Sequence, residues 1–300
     1  MTPYFEKRFN YTVSPEEHGI TIEDFLRKRG YSKHILIRLR RTPMGITIDG
    51  NPVYTTRRLT AGDTLSVLLL EEESSSNIVP TPMPLNIVYE DGDLLVINKA
   101  ADIPIHPSQG NFSNTLANGI AWYFLEKGEP FVYRAVNRLD RDTTGLLILA
   151  RHSLSASILS AMVAGRKIHR EYKALCEGLV PEKGTVSAPI ARVCGSTIQR
   201  CVDFEKGEPA VTHYSRIFYN ETNNLSLVSL RLETGRTHQI RVHMKHIGHP
   251  LPGDFLYNPD YRCISRQALH SCRLAFCHPI TKKELLFEAP LPADMQKCIF

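Results

Sequence analysis

The sequence predicts an α+β fold: a mixed, mainly antiparallel sheet domain, preceded by a small helix-plus-sheet domain. Three observations point there. Segments that alternate apolar and polar residues outnumber those with helical spacing. The two kinds do not alternate regularly along the chain, as a doubly wound parallel sheet would require. And one stretch, EEESSSNIVPTPMP at 71–84, joins acids, serines and prolines with no periodicity, which is linker composition. It sets a first domain at 1–74, a linker at 75–84 and a second domain at 85–300.

In the first segment, Ile22, Phe25 and Leu26 recur at helical spacing, and Gly30 offers a stop. YSKHILIRLRR repeats the pattern through Ile35, Leu36 and Leu39. GITIDGNPVY reads as strand, Asp-Gly turn and strand, and RRLTAGDTLSVLLL as a turn and a closing strand. After the linker, LNIVYEDGDLLVINKA is a hairpin about Asp91-Gly92-Asp93. NTLANGIAWYFLEKG and SLSASILSAMVAG read as helices, with Asn114 and Ser153 as N-caps. IHREYKALCEG, VTHYSRIFYN and LSLVSLRLETG alternate as strands. HQIRVHMKHIGH is a short amphipathic helix carrying Ile240, Val242, Met244 and Ile247.

The composition is 42% hydrophobic and 22% charged over 300 residues, so a core can form. A net charge of +5 hints at an anionic partner. Seven cysteines are scattered without a CxxC pair, an odd number that argues against a disulfide framework and for a reducing cytoplasm. No apolar run approaches the ~20 residues of a membrane span. MTPYFEKRFNYTV is too polar for a signal peptide. A cytoplasmic monomer with no membrane partner is expected.

Several chemistries lack their motifs. GxGxxG, GxxxxGK[ST] and GxSxG are all missing. Histidines crowd RTHQIRVHMKHIGH (His238, His243, His246, His249), and His270, Cys272, Cys277 and His278 follow. There is no HExxH, and lysine and arginines around the cluster repel a cation. No metal site is expected.

Two features remain. Arg27, Lys28, Arg29, Lys33, Arg38, Arg40 and Arg41 follow one another with no acid between them. A charge run is usually a solvated face, but one sign unbroken over two helices suits phosphate contacts. The second is NRLDRDTTGLLILARH at 137–152, a charged turn running directly into Leu146–Leu149. Alone, it reads as a salt-bridged turn. But Arg138 and Arg141 flank Asp140 and favour its anionic form, the apolar run puts it at the rim of a core, and a second arginine-rich turn, LETGRTHQIR, also ends an apolar strand. Polar loops at the ends of buried strands are how a rigid scaffold presents a site.

RLDRDTTGLLILAR, with IVYEDGDLLVINK and IPIHP upstream and REYKAL, LETGRTHQIRVHM and GHPLPGDFLY downstream, resembles the RluA-type family of pseudouridine synthases over residues 85 to about 290. The first segment resembles the alpha-L RNA-binding motif, with Gly50 and Gly62-Asp63 at its turns. The resemblance implies isomerisation of specific uridines in structured RNA, most of all large-subunit ribosomal RNA, with no cofactor. Transfer RNA as target, or a non-catalytic RNA-binding protein of the same fold, are the alternatives. By motif match, Asp140 is the essential aspartate and Arg138 the arginine that holds the flipped nucleotide's place. Tyr172 is the tyrosine that stacks on the target base, Arg236 the basic residue that pairs with the aspartate, and Ile240 an apolar pocket position. The chain departs from the pattern at Asn137, where many members have histidine, and at Ala100 and Asp102, where many have proline and glycine.

The chemistry suits these residue types. The ribose–nitrogen bond of uridine breaks, the base rotates, and its carbon 5 bonds to the ribose. A carboxylate either attacks the anomeric carbon or removes the ribose 2-proton to form a glycal. An arginine fork keeps it anionic and oriented. Flipping the base out costs about a few kcal/mol, and stacking on an aromatic ring returns ~1–3 kcal/mol.

Overall fold

The computed structural model describes residues 5–71 and 74–300. Its first sheet contains β1 (Phe5–Thr12), β2 (Ile46–Ile48), β3 (Asn51–Pro52) and β4 (Thr64–Glu71), ordered β1-β4-β2-β3 and antiparallel throughout. Helices α1 (Ile22–Lys28) and α2 (Lys33–Arg41) bury Ile22, Phe25, Leu26, Ile35, Leu36 and Leu39 against it. Thr21 and Ser32 cap them, their hydroxyls accepting from the Asp24 and Ile35 amides. The Asp-Gly turn forms between β2 and β3. Asp49 and Gly50 both have positive φ (48° and 82°), the two-residue type I′ geometry that matches strand twist. β1 was not legible in the sequence: FEKRFNYT is charged, and it forms because β4 offers it an edge.

The second sheet is larger. Its strands are β5 (Ile87–Glu90), β6 (Leu94–Lys99), β7 (Thr144–Ala150), β8 (His169–Glu177) and β9 (Lys183–Ser187). β10 (Ile190–Arg192) and β11 (Arg200–Val202) form a separate ribbon. β12 (Val211–Asn220), β13 (Leu225–Leu232), β14 (Leu269–Cys277) and β15 (Glu284–Glu288) complete the set. The order is β5-β6-β7-β14-β8-β13-β12-β9, with β15 on β14. β7 and β14 pair in parallel and the other pairings are antiparallel, so the fold is the mixed α+β expected.

The apolar runs in β6 and β7 have a direct cause: both faces are covered. Leu95, Ile97, Leu147 and Leu149 enter one core with α3 (Leu116–Glu126) and with Ile240 and Met244 of α5 (Gln239–His246). Leu94, Val96, Leu146 and Ile148 enter the opposite core with Leu159 of α4 (Ser153–Ala164). A last helix, α6 (Ala293–Ile299), packs with Leu225 and Leu227 of β13. The start of β7 demands glycine. Gly145 has φ 109°, and a Cβ there would meet the Ser271 carbonyl oxygen at 2.2 Å.

Two capping expectations are corrected. α3 is capped by Thr115, not Asn114, in a reciprocal box with Asn118, and α4 by the His152 ring, not Ser153. Both true caps sit one residue from the expected ones and are fully buried, so their side chains point inward where the amides are.

The stretch read as linker is stitched down where it is described; Glu72 and Glu73 lie outside the described residues. Ser75 Oγ accepts from the Tyr133 amide (2.9 Å), Asn118 donates to the Val79 carbonyl (2.7 Å), and Met83 packs over Gly119. The first sheet also contacts the second body. Lys7 and His152 both bond Asp93 (2.5 and 2.7 Å), Arg134 forks onto Glu71 (2.9 Å twice), and Gly30 presses on Ile158. No helix among the described residues is long and apolar enough to cross a membrane.

Candidate active site

A cleft of about 800 Å³ opens where the loop before β7 meets β8, the end of β13 and the start of α5. Asp140, Arg138, Tyr172, Arg236 and Ile240 all line it, so the structure brings together every second-domain residue singled out from the sequence.

Asp140 sits on the loop before β7, its side chain 28% exposed. The loop is held from beneath. Lys99 Nζ and the Ile103 amide donate to the Arg141 carbonyl (2.7 and 3.2 Å), Arg266 to the Asp142 carbonyl (3.2 Å), and Gln267 to Thr143 Oγ1 (3.1 Å). Asp142 and the Thr-Thr-Gly turn therefore shape the loop. Lys99 is fully buried, and burial pushes its ammonium down to about 7 against the pull of Asp142 and Asp140.

The cation on Asp140 is Arg241. Its Nη1 donates to Asp140 Oδ2 at 2.8 Å, while Nε and Nη2 fork onto Asp254 at 2.7 Å each. Asp254 is itself buried and accepts from the Leu256 and Tyr257 amides. Burial alone would depress the guanidinium, but the bonds to Asp254 and the charge of Asp140 outweigh it and hold it above its ordinary value. This corrects the expected pairing. Arg236 turns away to Glu208 and the Pro209 carbonyl, 41% exposed, though it stays on the cleft rim. Nor do the flanking arginines serve Asp140: Arg141 bonds Asp102 (2.6 Å) and Arg138 is exposed. Arg236 lies in the turn before α5, and the first turn of the helix carries Arg241, not Arg236, inward beside Ile240.

His238, at the N-cap of α5, holds a left-handed backbone (φ 58°). Its Nδ1 is 2.8 Å from the Tyr257 hydroxyl and its Nε2 3.9 Å from Asp140 Oδ2. Burial lowers its pKa against the attraction of Asp140, so the ring is neutral at pH 7. Tyr172 faces the cleft from β8 beside Ile240, and burial raises its phenol, keeping it uncharged. His106, from the IPIHP stretch, lines the wall edge-on to Tyr133, its pKa lowered by burial and by Arg138. Arg241, Asp254, His106 and Lys99 were not singled out from the sequence, and His238 was weighed there only as one of a histidine cluster. Only Arg241 left a signal: an arginine between Ile240 and Val242 on a short helix must be buried, and a buried arginine needs a carboxylate.

Two of the three departures have structural explanations, and nothing in the structure explains Ala100. Asn137 is buried and its Oδ1 accepts from the Ile148 amide (2.9 Å), pinning the segment before the loop to β7. Asp102 occupies a left-handed position (φ 61°) that glycine would fill without strain.

The histidines do not converge. His243 is buried with Nδ1 on Thr212 and Nε2 on the Ala188 carbonyl, His249 bonds the Glu177 carbonyl, and His270 bonds Thr144. Among the described residues Asp91, Asp93 and His278 do gather within 4.8 Å, and there the Lys7 ammonium and His152 take up Asp93.

On the first sheet's helices the seven basic residues divide. Arg27 and Arg40 pair with Glu23, and Arg29 with Glu17, acids that lie outside the basic run in sequence. Lys28, Lys33, Arg38 and Arg41 are exposed and, among the described residues, have no carboxylate partner.

A family model described as RNA pseudouridylate synthase matches residues 93–246, which carry Asp140, Tyr172 and Arg241. The chain belongs to the RNA pseudouridylate synthase family. It is 41% identical to the uncharacterised RNA pseudouridine synthase YjbO of Bacillus subtilis over 93% of this chain and 98% of that one. It is 42% identical to ribosomal large subunit pseudouridine synthase D of Haemophilus influenzae over 76% and 74%. Among solved structures, human RNA pseudouridylate synthase domain containing 1 superposes with a TM-score of 0.60 at 26% identity, covering 72% of this chain and 88% of its own. These relatives bear out the RluA-type resemblance and the reaction class.

Proposed function

We propose that the chain isomerises uridine to pseudouridine in large-subunit ribosomal RNA, with Asp140 as the reactive carboxylate. The observation that carries the assignment is the ordered chain Asp254–Arg241–Asp140. A buried carboxylate fixes a buried guanidinium through Nε and Nη2, which leaves Nη1 to orient a carboxylate at the edge of an open cleft. A nucleophile or base fixed in this way needs little reorganisation when it reacts.

The flipped nucleotide enters with its base on Tyr172 and Ile240, and Arg138 at the mouth holds the place it leaves. Asp140 then attacks the anomeric carbon or takes the ribose 2-proton, and the ribose–N1 bond breaks. The freed base turns within the cleft and bonds through carbon 5. Carbon 5 gives up its proton and N1 gains one, so atoms and electrons balance without a cofactor. Tyr172 and His238, both neutral, add no charge beside Asp140.

Residues 1–74 serve as an RNA-binding domain of the alpha-L kind, with Lys28, Lys33, Arg38 and Arg41 toward phosphates. Ribosomal RNA is favoured because relatives named for the large ribosomal subunit align over most of the chain. The enzyme acts as a cytoplasmic monomer. Mapping pseudouridines in total RNA from cells lacking the gene tests the target. Loss of one or more large-subunit sites is expected; loss only in transfer RNA would reassign the substrate, and no loss anywhere would reject it.

A further inference from the structure

Five arginines line the cleft: Arg138, Arg166, Arg170, Arg236 and Arg241. Arg166 pairs with Glu233, Arg236 with Glu208, and Arg241 with Asp140 and Asp254. Among the described residues, Arg138 and Arg170 have no carboxylate within 4.0 Å. Arg138 is exposed, so water solvates its charge. Arg170 is half-buried, and that sets it apart from the other arginines of the cleft. Arg134, Arg151, Arg241 and Arg266, also withdrawn from solvent, each hold a carboxylate, and half-buried Arg200 and Arg216, for which no ion pair is found among the described residues, lie outside the cleft. A partly desolvated guanidinium with no anion is costly unless a ligand supplies one.

Its position says which ligand. Arg170 is two residues before Tyr172 on β8, so both side chains leave the same face of the strand. Its positive charge acts on the Tyr172 phenol, opposing the larger effect of burial. On its other side the guanidinium lies over Gly235, where a Cβ would meet Nη2 at 3.7 Å and Nη1 at 3.8 Å. The fork therefore stands on the cleft wall between Tyr172 and the 233–238 loop.

We infer that Arg170 forms a phosphate subsite of the cleft, binding a phosphodiester group of the RNA beside the nucleotide stacked on Tyr172. This rests on the proposed reading of the cleft as the uridine site. The planar fork donates two parallel N–H bonds to phosphate oxygens, and it supplies the charge that a phosphodiester, unlike a uracil carbonyl, requires. Holding that phosphate stabilises the extruded nucleotide against restacking.

The test is steady-state isomerisation of total RNA from cells lacking the gene, measured over a range of KCl for wild type, Arg170→Gln and Arg170→Lys. Arg170→Gln is expected to lower kcat/KM about tenfold or more. Removing one phosphate-binding charge makes the slope of log kcat/KM against log salt shallower by about 0.7–0.9. Its kcat stays within about threefold of wild type, because a bond made equally in ground and transition states acts on KM. Arg170→Lys keeps the slope and recovers part of the loss. An Arg170→Gln slope equal to wild type overturns the inference, as does a loss confined to kcat, which would make Arg170 only a support for Tyr172. If circular dichroism shows Arg170→Gln misfolded, Arg170→Met takes its place, keeping the apolar stem. A wild type that forms no pseudouridine rejects the reading of the cleft itself; wild-type turnover with an unchanged variant slope rejects the phosphate subsite alone.

Discussion

Arg241 Nη1 and Asp140 Oδ2 lie 2.8 Å apart, although 101 residues separate them in the sequence. The other two nitrogens of that guanidinium are committed to Asp254, so Arg241 is a fixed bracket that reaches Asp140 through Nη1. Removing it leaves Asp254 buried without its cation. Arg241→Ala is expected to lose about 3–5 kcal/mol of unfolding free energy, the usual consequence of orphaning a buried charge. Arg236→Ala, whose ion pair is exposed, should change stability by less than about 1 kcal/mol. Denaturant titration of the two variants checks the difference; equal losses would contradict the reassigned pairing.

Tyr172 is proposed to act through its ring, since its hydroxyl stays uncharged. Tyr172→Phe should therefore keep kcat/KM within about tenfold. Tyr172→Leu should lose the stacking contribution of ~1–3 kcal/mol, a drop of roughly 5- to 150-fold. Kinetics on a single RNA substrate distinguish them, and a Phe variant as impaired as Leu would point instead to the hydroxyl.

Lys99 is expected to couple the Asp140 loop to pH. Its ammonium titrates at about 7 in the fold, against about 10.4 in an unfolded chain. Between those values the unfolded state carries a proton that the native state lacks, so stability rises with pH across the window. The contribution is complete above about 10.4 and is lost as pH falls through about 7. Wild type measured against Lys99→Met should gain unfolding free energy from pH 7 to pH 10, and a difference flat in pH would contradict it. Because Lys99 holds the Arg141 carbonyl, the variant should also lose kcat.

The basic helices should not respond uniformly. Replacing Lys28, Lys33, Arg38 and Arg41 by glutamine should reduce the salt dependence of RNA binding by up to about 0.9 for each phosphate no longer neutralised. Arg29→Gln should act mainly on stability, because Arg29 pairs with Glu17 and covers the Phe25 ring. Filter binding across salt concentrations, beside thermal melts, separates the two groups.

Gly145→Ala should lower the melting temperature by several degrees, since a Cβ has no room against Ser271 and the φ is unfavourable for alanine. A melting temperature equal to wild type would mean the β7–β14 junction yields more easily than its close approach indicates.

Much of this was legible because it depends on local pattern. The runs Leu94–Ile97 and Leu146–Leu149 announce strands covered on both faces, and Ile35, Leu36 and Leu39 announce a helix. Asp140 and Tyr172 were legible through long ordered motifs. What escaped depends on contacts distant in sequence. Arg236 and Arg241 stand in the same stretch, and only the start of α5 decides which one turns inward. Asp254 gives no sign of its partner until the loop folds onto the helix. Glu17 and Glu23 pair with three of the seven residues of a basic run that looked wholly free because they precede it. The serines and prolines at 74–84 read as a tether, yet their backbone and hydroxyls are bonded to Phe131, Tyr133 and Asn118.

The central claim is that Asp140 carries the chemistry. Single-turnover conversion of uridine by wild type and Asp140→Ala, on RNA each binds, measures it most directly. The account predicts binding within a few-fold of wild type and a rate lowered by at least about 10³. Asp140→Ala forming pseudouridine at the wild-type rate would contradict it.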